Sequence, residues 1–494
     1  MGTVADTDPA FAANLRWAWD QNGRMIGTGA DGITIPAMIR PSIAAKEPTL
    51  ASRVYPGFGV IFRAHQGPEE TCLYLRSGYL WSHWNQDQGN LMLYAKGAVL
   101  LPSQPYQYGG PRDNAFPDKN FMRFGAPTND FPHAWADSNV LDAHFSPSVD
   151  YAWASSGYPD WYITPGARAQ WERANTRDLV AGLGQAEGAF TWDRQVLFLK
   201  GATPKSPNYF VIRDSTHGDG KLASWFNLSL LGRKANVTRD GGTVRLDTEW
   251  PTKLELLFTD RAEPAFELAE DDLPMQTGAY NTPTGTSRDW VGGKEQHVAL
   301  RLRSAPGQEV AWVLYPRGAG EAAPKATRLA PGVTKIVTAE GTDYVFLSPR
   351  PLTYTGGGVE FSGLAGAVRV AKNGKATLVL SAGPGKVGYN GQVIAGTAPF
   401  ERTVAAGKKT QTLPAPAWQV RQPAALPAAR PVVAGVTKAD ADAVTQYVVD
   451  APMAITAADG DVRLHARKAT VECGKDAAGK HWARFVVPER AYVQ

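Results

Sequence analysis

The chain has 494 residues, with 51 Lys+Arg against 47 Asp+Glu, 50 Gly, 36 Pro, 15 Trp and two Cys. That length allows two or three domains and a large core, and the scattered, nearly balanced charge excludes a dedicated nucleic-acid binder while leaving room for a local basic groove. No stretch is long and apolar enough to span a membrane as a helix, and the N-terminus lacks the basic-then-apolar pattern of an export signal.

Taken in chain order, the first element is a helix with Asp8 as N-cap, Pro9 at the first helical position, Phe11, Leu15 and Trp19 on one stripe, and Gly23 after its end. From about residue 50 the pattern changes to short runs of Val, Thr, Tyr, Phe and Trp punctuated by Gly and Pro, which predicts antiparallel β-structure. Val54 to Arg63, Thr71 to Arg76, Leu91 to Ala95 and Ala98 to Leu101 read as strands. After a loop-rich region, Thr191 to Lys200 and Tyr209 to Asp214 read as a pair, with Trp225 to Leu230 as a third strand. Asp240-Gly241, Asn373-Gly374 and Asn390-Gly391 each sit between alternating runs, a strong hairpin signal.

The fold class expected is therefore mostly β, a large antiparallel supersandwich with a short N-terminal helix and a small C-terminal β-module. The boundaries read as 1–25 for the helical part, 26–411 for the sandwich, 412–437 for a Pro/Ala-rich linker and 438–494 for the appended module, in which Val462 to Ala466 pairs with Trp482 to Val487. Cys72 and Cys473 read as free thiols rather than a disulfide.

Chemistry concentrates in Tyr79-Leu-Trp-Ser-His-Trp-Asn-Gln-Asp87. In an extended chain the period of two puts Tyr79, Trp81, His83, Asn85 and Asp87 on one face, joining aromatic platforms to an imidazole, an amide and a carboxylate. A lone His is more often a hydrogen-bonded loop residue than a catalyst, so the neighbours decide the matter. The excess of Trp favours a carbohydrate ligand, because indole faces stack on the C–H faces of sugar rings as well as packing cores.

Residues 82–97, Ser-His-Trp-Asn-Gln-Asp-Gln-Gly-Asn-Leu-Met-Leu-Tyr-Ala-Lys-Gly, resemble the signature of heparinase II/III-like polysaccharide lyases, His-x-His-x-Asp-x-x-Ser-Phe followed by an apolar strand, Tyr-Ala and Gly. His83 and Asp87 match it; Asn85 stands at the second His and Asn90-Leu91 at Ser-Phe. The runs Arg194 to Lys200, Tyr209 to Asp214, Gly218-Asp-Gly and Trp225 to Leu228 resemble the family's following strands in order and spacing. The resemblance implies an (α/α) toroid followed by a β-sandwich, of which this chain supplies the second part, with the helix at 9–22 as the expected end of the toroid. It also implies β-elimination on a uronic-acid polysaccharide and a periplasmic or secreted location.

Such a reaction needs the sugar carboxylate neutralised, a base for the α-proton and an acid for the leaving oxygen, roles that His and Tyr fill when tuned by their surroundings. The catalytic candidates are His83, Tyr79 and Asp87, and the substrate-binding candidates are Asn85, Trp81, Trp84, Arg76, Tyr106, Tyr108 and Trp135. Arg63 and Arg123 are further candidates for a sugar carboxylate, and Trp153 and Trp161 for stacking. The family's structural zinc would fall on Asn85, Ser103 and Ser138, none of them a good zinc ligand, so no metal is expected there. Two other readings stand beside the lyase. One is a non-catalytic carbohydrate-binding or scaffold sandwich, and the other a hydrolase using carboxylates among Asp87, Asp113, Asp130 and Asp137.

Overall fold

The computed structural model describes residues 2–21, 42–78, 88–102, 120, 122–124, 137–158, 161–163, 183–185, 190–218, 224–248, 250–260, 266–274, 294–304, 307–405, 411–414, 447–449, 453–455, 464–465, 470–475, 481–486 and 491–493. Two compact units divide it, one of residues 1–51 with 272–295, the other of residues 52–271 with 296–494.

The first unit contains the helices Gly2–Thr7 and Pro9–Gln21. Asp8 caps the second helix as its sequence requires: its carboxylate accepts from the Phe11 amide at 2.9 Å. The expected stripe is corrected at one end. Phe11 is exposed and Ala12 is the buried residue, while Arg16 lies over the Trp19 ring and pairs with Asp20.

The second unit is built of sheets. Arg53–Tyr55, Gly59–Ala64, Thr71–Arg76, Leu91–Ala95 and Ala98–Leu101 form a five-stranded meander in sequence order. The run read as one strand from Val54 to Arg63 is two, because Gly57 and Gly59 take positive φ and turn the chain between them. Beside it in the same core lies a four-stranded sheet that includes Ser224–Leu231.

An eight-stranded sheet holds the expected pair Phe190–Leu199 and Tyr209–Gly218, joined antiparallel from Phe190↔Gly218 to Leu199↔Tyr209. The third expected strand, Ser224–Leu231, forms and pairs with Lys294–Ser304 in a different sheet. Alternation along the strands explains the layering. Val196 and Phe198 point into the core shared with the five-stranded sheet, whereas Leu197 and Leu199 point into a second core shared with a nine-stranded sheet. In the first core Phe62 meets Phe145, Phe198 and Phe210 edge-on with centroids 6.3 to 6.4 Å apart, contacts worth about 0.5–1.5 kcal/mol each beyond area burial.

The nine-stranded sheet carries the Asn373-Gly374 and Asn390-Gly391 hairpins as expected, and the Asp240-Gly241 hairpin forms at the edge of the eight-stranded sheet. Its outer face forms a third core in which Phe346 and Phe361 stack at 4.1 Å. Gln411–Pro414 joins it as a parallel strand on Gln392–Thr397. In the C-terminal module the expected hairpin is replaced: His481–Val486 pairs with Thr470–Lys475, and Leu464–His465 with Ala491–Val493. Among the described residues no helix is long and apolar enough to cross a membrane.

Candidate functional site

The segment 79–87 leaves the described residues after Gly78 and re-enters at Gln88. Its two flanks are tied directly to each other. The Arg76 amide donates to the Asn90 carbonyl at 2.8 Å, and the Gly89 amide donates to the Arg76 carbonyl at 2.7 Å. Beneath this closure lies a buried polar cluster in an otherwise apolar core.

The cluster grows from strand register. Arg194 and Asp214 are direct cross-strand partners on Phe190–Leu199 and Tyr209–Gly218, an arrangement that favours opposite charges. Arg194 Nε donates to one Asp214 oxygen at 2.7 Å and its terminal nitrogen to the other at 3.1 Å. The same carboxylate accepts from the indole N–H of Trp192 at 2.9 Å and of Trp312 at 3.0 Å. Both charges are almost fully buried, and a paired, hydrogen-bonded charge is the form in which burial is tolerated.

Arg194 also reaches out of the pair. Its remaining terminal nitrogen donates to the carbonyls of Gly89 at 2.6 Å and Asn120 at 2.7 Å. The Asn120 backbone amide in turn donates to Asn90 Oδ1 at 2.7 Å, while its side-chain amide donates to the carbonyls of Leu91 and Pro102 and its side-chain oxygen accepts from the Ser229 amide. One guanidinium thus fixes the re-entry of the segment carrying His83 and the residue that follows the stretch 103–119.

Gly89 shows how tight this is. It has φ +72°, and a Cβ there would stand 2.3 Å from the Trp192 ring, so glycine at position 89 is required by sterics. On the other flank a row of buried hydroxyls, Ser77 to Ser138 at 3.0 Å and Ser156 to Ser138 at 2.9 Å, ties the strand end to the eight-stranded sheet. Ser138, one of the three positions weighed for zinc, has its hydroxyl in this row.

Of the site residues expected from sequence, Arg76 lies among the described residues. Its guanidinium donates to the carbonyls of Gly57 at 3.2 Å and Phe58 at 3.0 Å and lies over the Phe58 ring. The Phe58 ring is 64% exposed. Arg76 therefore presents a cation beside an exposed aromatic face next to Gly78. Tyr79, Trp81, His83, Trp84, Asn85, Asp87, Tyr106, Tyr108 and Trp135 lie outside the described residues, as do Asn85's companion Ser103 and the carboxylates Asp113 and Asp130. Arg63 is taken up by an ion pair with Glu70 at 2.7 Å, and Trp153 packs against the second core.

Sequence reasoning missed Arg194, Asp214 and Asn120 as the support of the site. The signal was present as an adjacent charge pair in each of two otherwise apolar runs, Asp193-Arg194 and Arg213-Asp214, with Arg194 and Asp214 at positions that meet if the runs pair as a hairpin.

The class defined by this architecture is a layered antiparallel β-sandwich with a polar cluster clamping a segment rich in aromatic and titratable residues. No protein-family model matches the sequence, and no curated protein matches it. Among solved structures the fold is similar to the heparan sulfate lyase HepC from Pedobacter heparinus (14% identity, 69% of this chain and 48% of that chain, TM-score 0.43) and to a mutant of it (TM-score 0.44). It is also similar to a heparinase III structure (14% identity, 61% of this chain and 43% of that chain, TM-score 0.39). The likeness is one of fold, and the match spans about half the length of those lyases.

Proposed function

We propose that the protein is a polysaccharide lyase that cleaves a uronic-acid glycan by β-elimination, acting from the segment 79–87 and exported to the periplasm or beyond. The observation that carries this reading is the Arg194 clamp. It holds the re-entry of the one segment whose residues resemble a lyase signature, and a catalytic segment needs a rigid support of that kind. In this reading His83 takes the α-proton or neutralises the sugar carboxylate, Asp87 orients it, and Tyr79 protonates the departing oxygen. The bond broken is that between the leaving oxygen and its sugar carbon, and the product carries a new carbon–carbon double bond conjugated with the carboxylate.

Arg76 supplies a guanidinium for a sugar carboxylate at the edge of the site, with the Phe58 ring beside it. Asn85, Trp81, Trp84, Tyr106, Tyr108 and Trp135 provide hydrogen bonds and stacking surfaces, and no zinc is assigned.

The test is ultraviolet absorbance of the conjugated uronate during incubation with alginate, heparan sulfate, hyaluronan and ulvan. A rise on one glycan that falls by roughly 10²–10⁴-fold in His83→Ala is expected. A flat trace on all four, or a rise that His83→Ala leaves unchanged, overturns the assignment.

A further inference from the structure

On the other face of the eight-stranded sheet, between it and the first strands of the nine-stranded sheet, lies a pocket of about 480 Å³. That is within the size range of small-ligand sites, roughly 300–1,000 Å³. It plays no part in the site described above: the Val211 and Arg213 side chains that line it lie on the odd-numbered face of Tyr209–Gly218, whereas the Arg194–Asp214 cluster lies on the even-numbered face.

The chemistry of the lining defines what fits. Arg213 is buried and held in place from behind, donating to Gln195 Oε1 at 3.2 Å and to Ser215 Oγ at 3.3 Å. In front it makes a two-point pair with Glu309, whose side chain is 49% exposed at the pocket. Asp260 and Arg328 add a second carboxylate and a second guanidinium to the lining, so the formal charges cancel. A strongly anionic or cationic ligand gains little net Coulomb energy in such a balanced site. The Glu309 and Asp260 carboxylates as acceptors and the exposed Arg328 guanidinium as donor match the hydroxyls of a sugar. The apolar part of the lining, including Val211, Val345 and Leu347, suits the C–H face of the ring.

We propose that this pocket is a second, non-catalytic sugar site that takes a neutral mono- or disaccharide. It goes beyond the lyase reading and does not depend on it.

The experiment is calorimetric or saturation-transfer titration of the full chain with glucose, galactose, N-acetylglucosamine, maltose and cellobiose, with glucuronate as the acidic comparison. Saturable binding of at least one neutral sugar is expected. Affinity should fall at least tenfold in Ala311→Trp, which projects into the pocket from the position paired with Arg213, and in Arg328→Ala, whose exposed side chain leaves the fold intact; equal melting temperatures verify that. The absence of saturable binding by every neutral sugar, binding of glucuronate alone, or an affinity untouched by Ala311→Trp overturns the proposal. Elimination activity reads separately: failure of every glycan to react leaves the sugar titration as expected, and loss of sugar binding in Ala311→Trp leaves the elimination rate unchanged.

Discussion

Replacing Asp214 by Leu removes the acceptor of four N–H bonds in one step: two from Arg194 and one each from Trp192 and Trp312. The guanidinium stays buried, facing the Gly89 and Asn120 carbonyls without a counter-charge. Stranding one half of a buried ion pair costs about 3–5 kcal/mol, and each orphaned indole N–H about 1–3 kcal/mol. Because all four bonds share one carboxylate these costs overlap, and a loss of about 5 kcal/mol is expected. Arg194→Met strands the carboxylate instead, with both indoles still donating to it, and should cost about 3–5 kcal/mol.

The double variant Arg194→Met/Asp214→Leu removes both charges together. It should be less destabilised than the sum of the singles by at least about 2 kcal/mol, a coupling energy normal for a shared buried network. Urea unfolding followed by Trp fluorescence on all four proteins measures this cycle. A loss under about 1 kcal/mol for Asp214→Leu, the size of an exposed ion pair, or strict additivity in the double variant, would refute the assignment of this cluster as a coupled buried unit.

Gly89→Ala forces a Cβ into the Trp192 ring at a positive φ; a loss of about 2–4 kcal/mol is expected from overpacking and strain together, with elimination activity falling as the segment 79–87 shifts, read by thermal melting alongside the ultraviolet assay. Asn120→Ala breaks the side-chain bonds to Leu91, Pro102 and Ser229 and keeps the backbone bond to Asn90, and should cost about 2–4 kcal/mol while leaving the sugar titration of the opposite face unchanged. Burial pushes the Cys72 thiol up, with Arg63 opposing it and Glu70 adding to it. In a Cys473→Ser background its alkylation rate should therefore rise only above the ordinary thiol range, since the thiolate forms at higher pH than in a free peptide; a rate profile at or below that range contradicts the burial argument.

Much of the fold was legible because its signals are local. Asn373-Gly374 and Asn390-Gly391 specify their hairpins through residues that accept positive φ, and Asn390 itself has φ 49°. Thr71–Arg76 and Ala98–Leu101 fall where alternation placed them. What failed was partner choice. His481–Val486 is a strand as expected, but it pairs with Thr470–Lys475 rather than with the segment read as its partner, because an apolar alternating run fits more than one sheet edge.

The same limit explains the site. Its titratable segment stands out in sequence, whereas its support depends on Arg194 and Asp214 meeting across a hairpin and on Gly89 and Asn120 arriving from distant parts of the chain. Trp192 and Trp312 illustrate the point. In composition they counted toward a sugar-binding excess, and in the structure they are buried donors to Asp214.

Arg213 and Asp214 are consecutive residues, yet one lines the pocket and the other anchors the clamp on the opposite face. Because strand side chains alternate with a period of two, inserting or deleting a single residue in Phe190–Leu199 or Tyr209–Gly218 would exchange the two faces beyond that point. Arginine and aspartate would trade cores, and both sites would be lost at once. In these two strands a substitution away from the Arg194–Asp214 cluster disturbs one side chain, whereas a change of length disturbs both faces, and any drift in chain length among descendants of this sequence must be absorbed elsewhere.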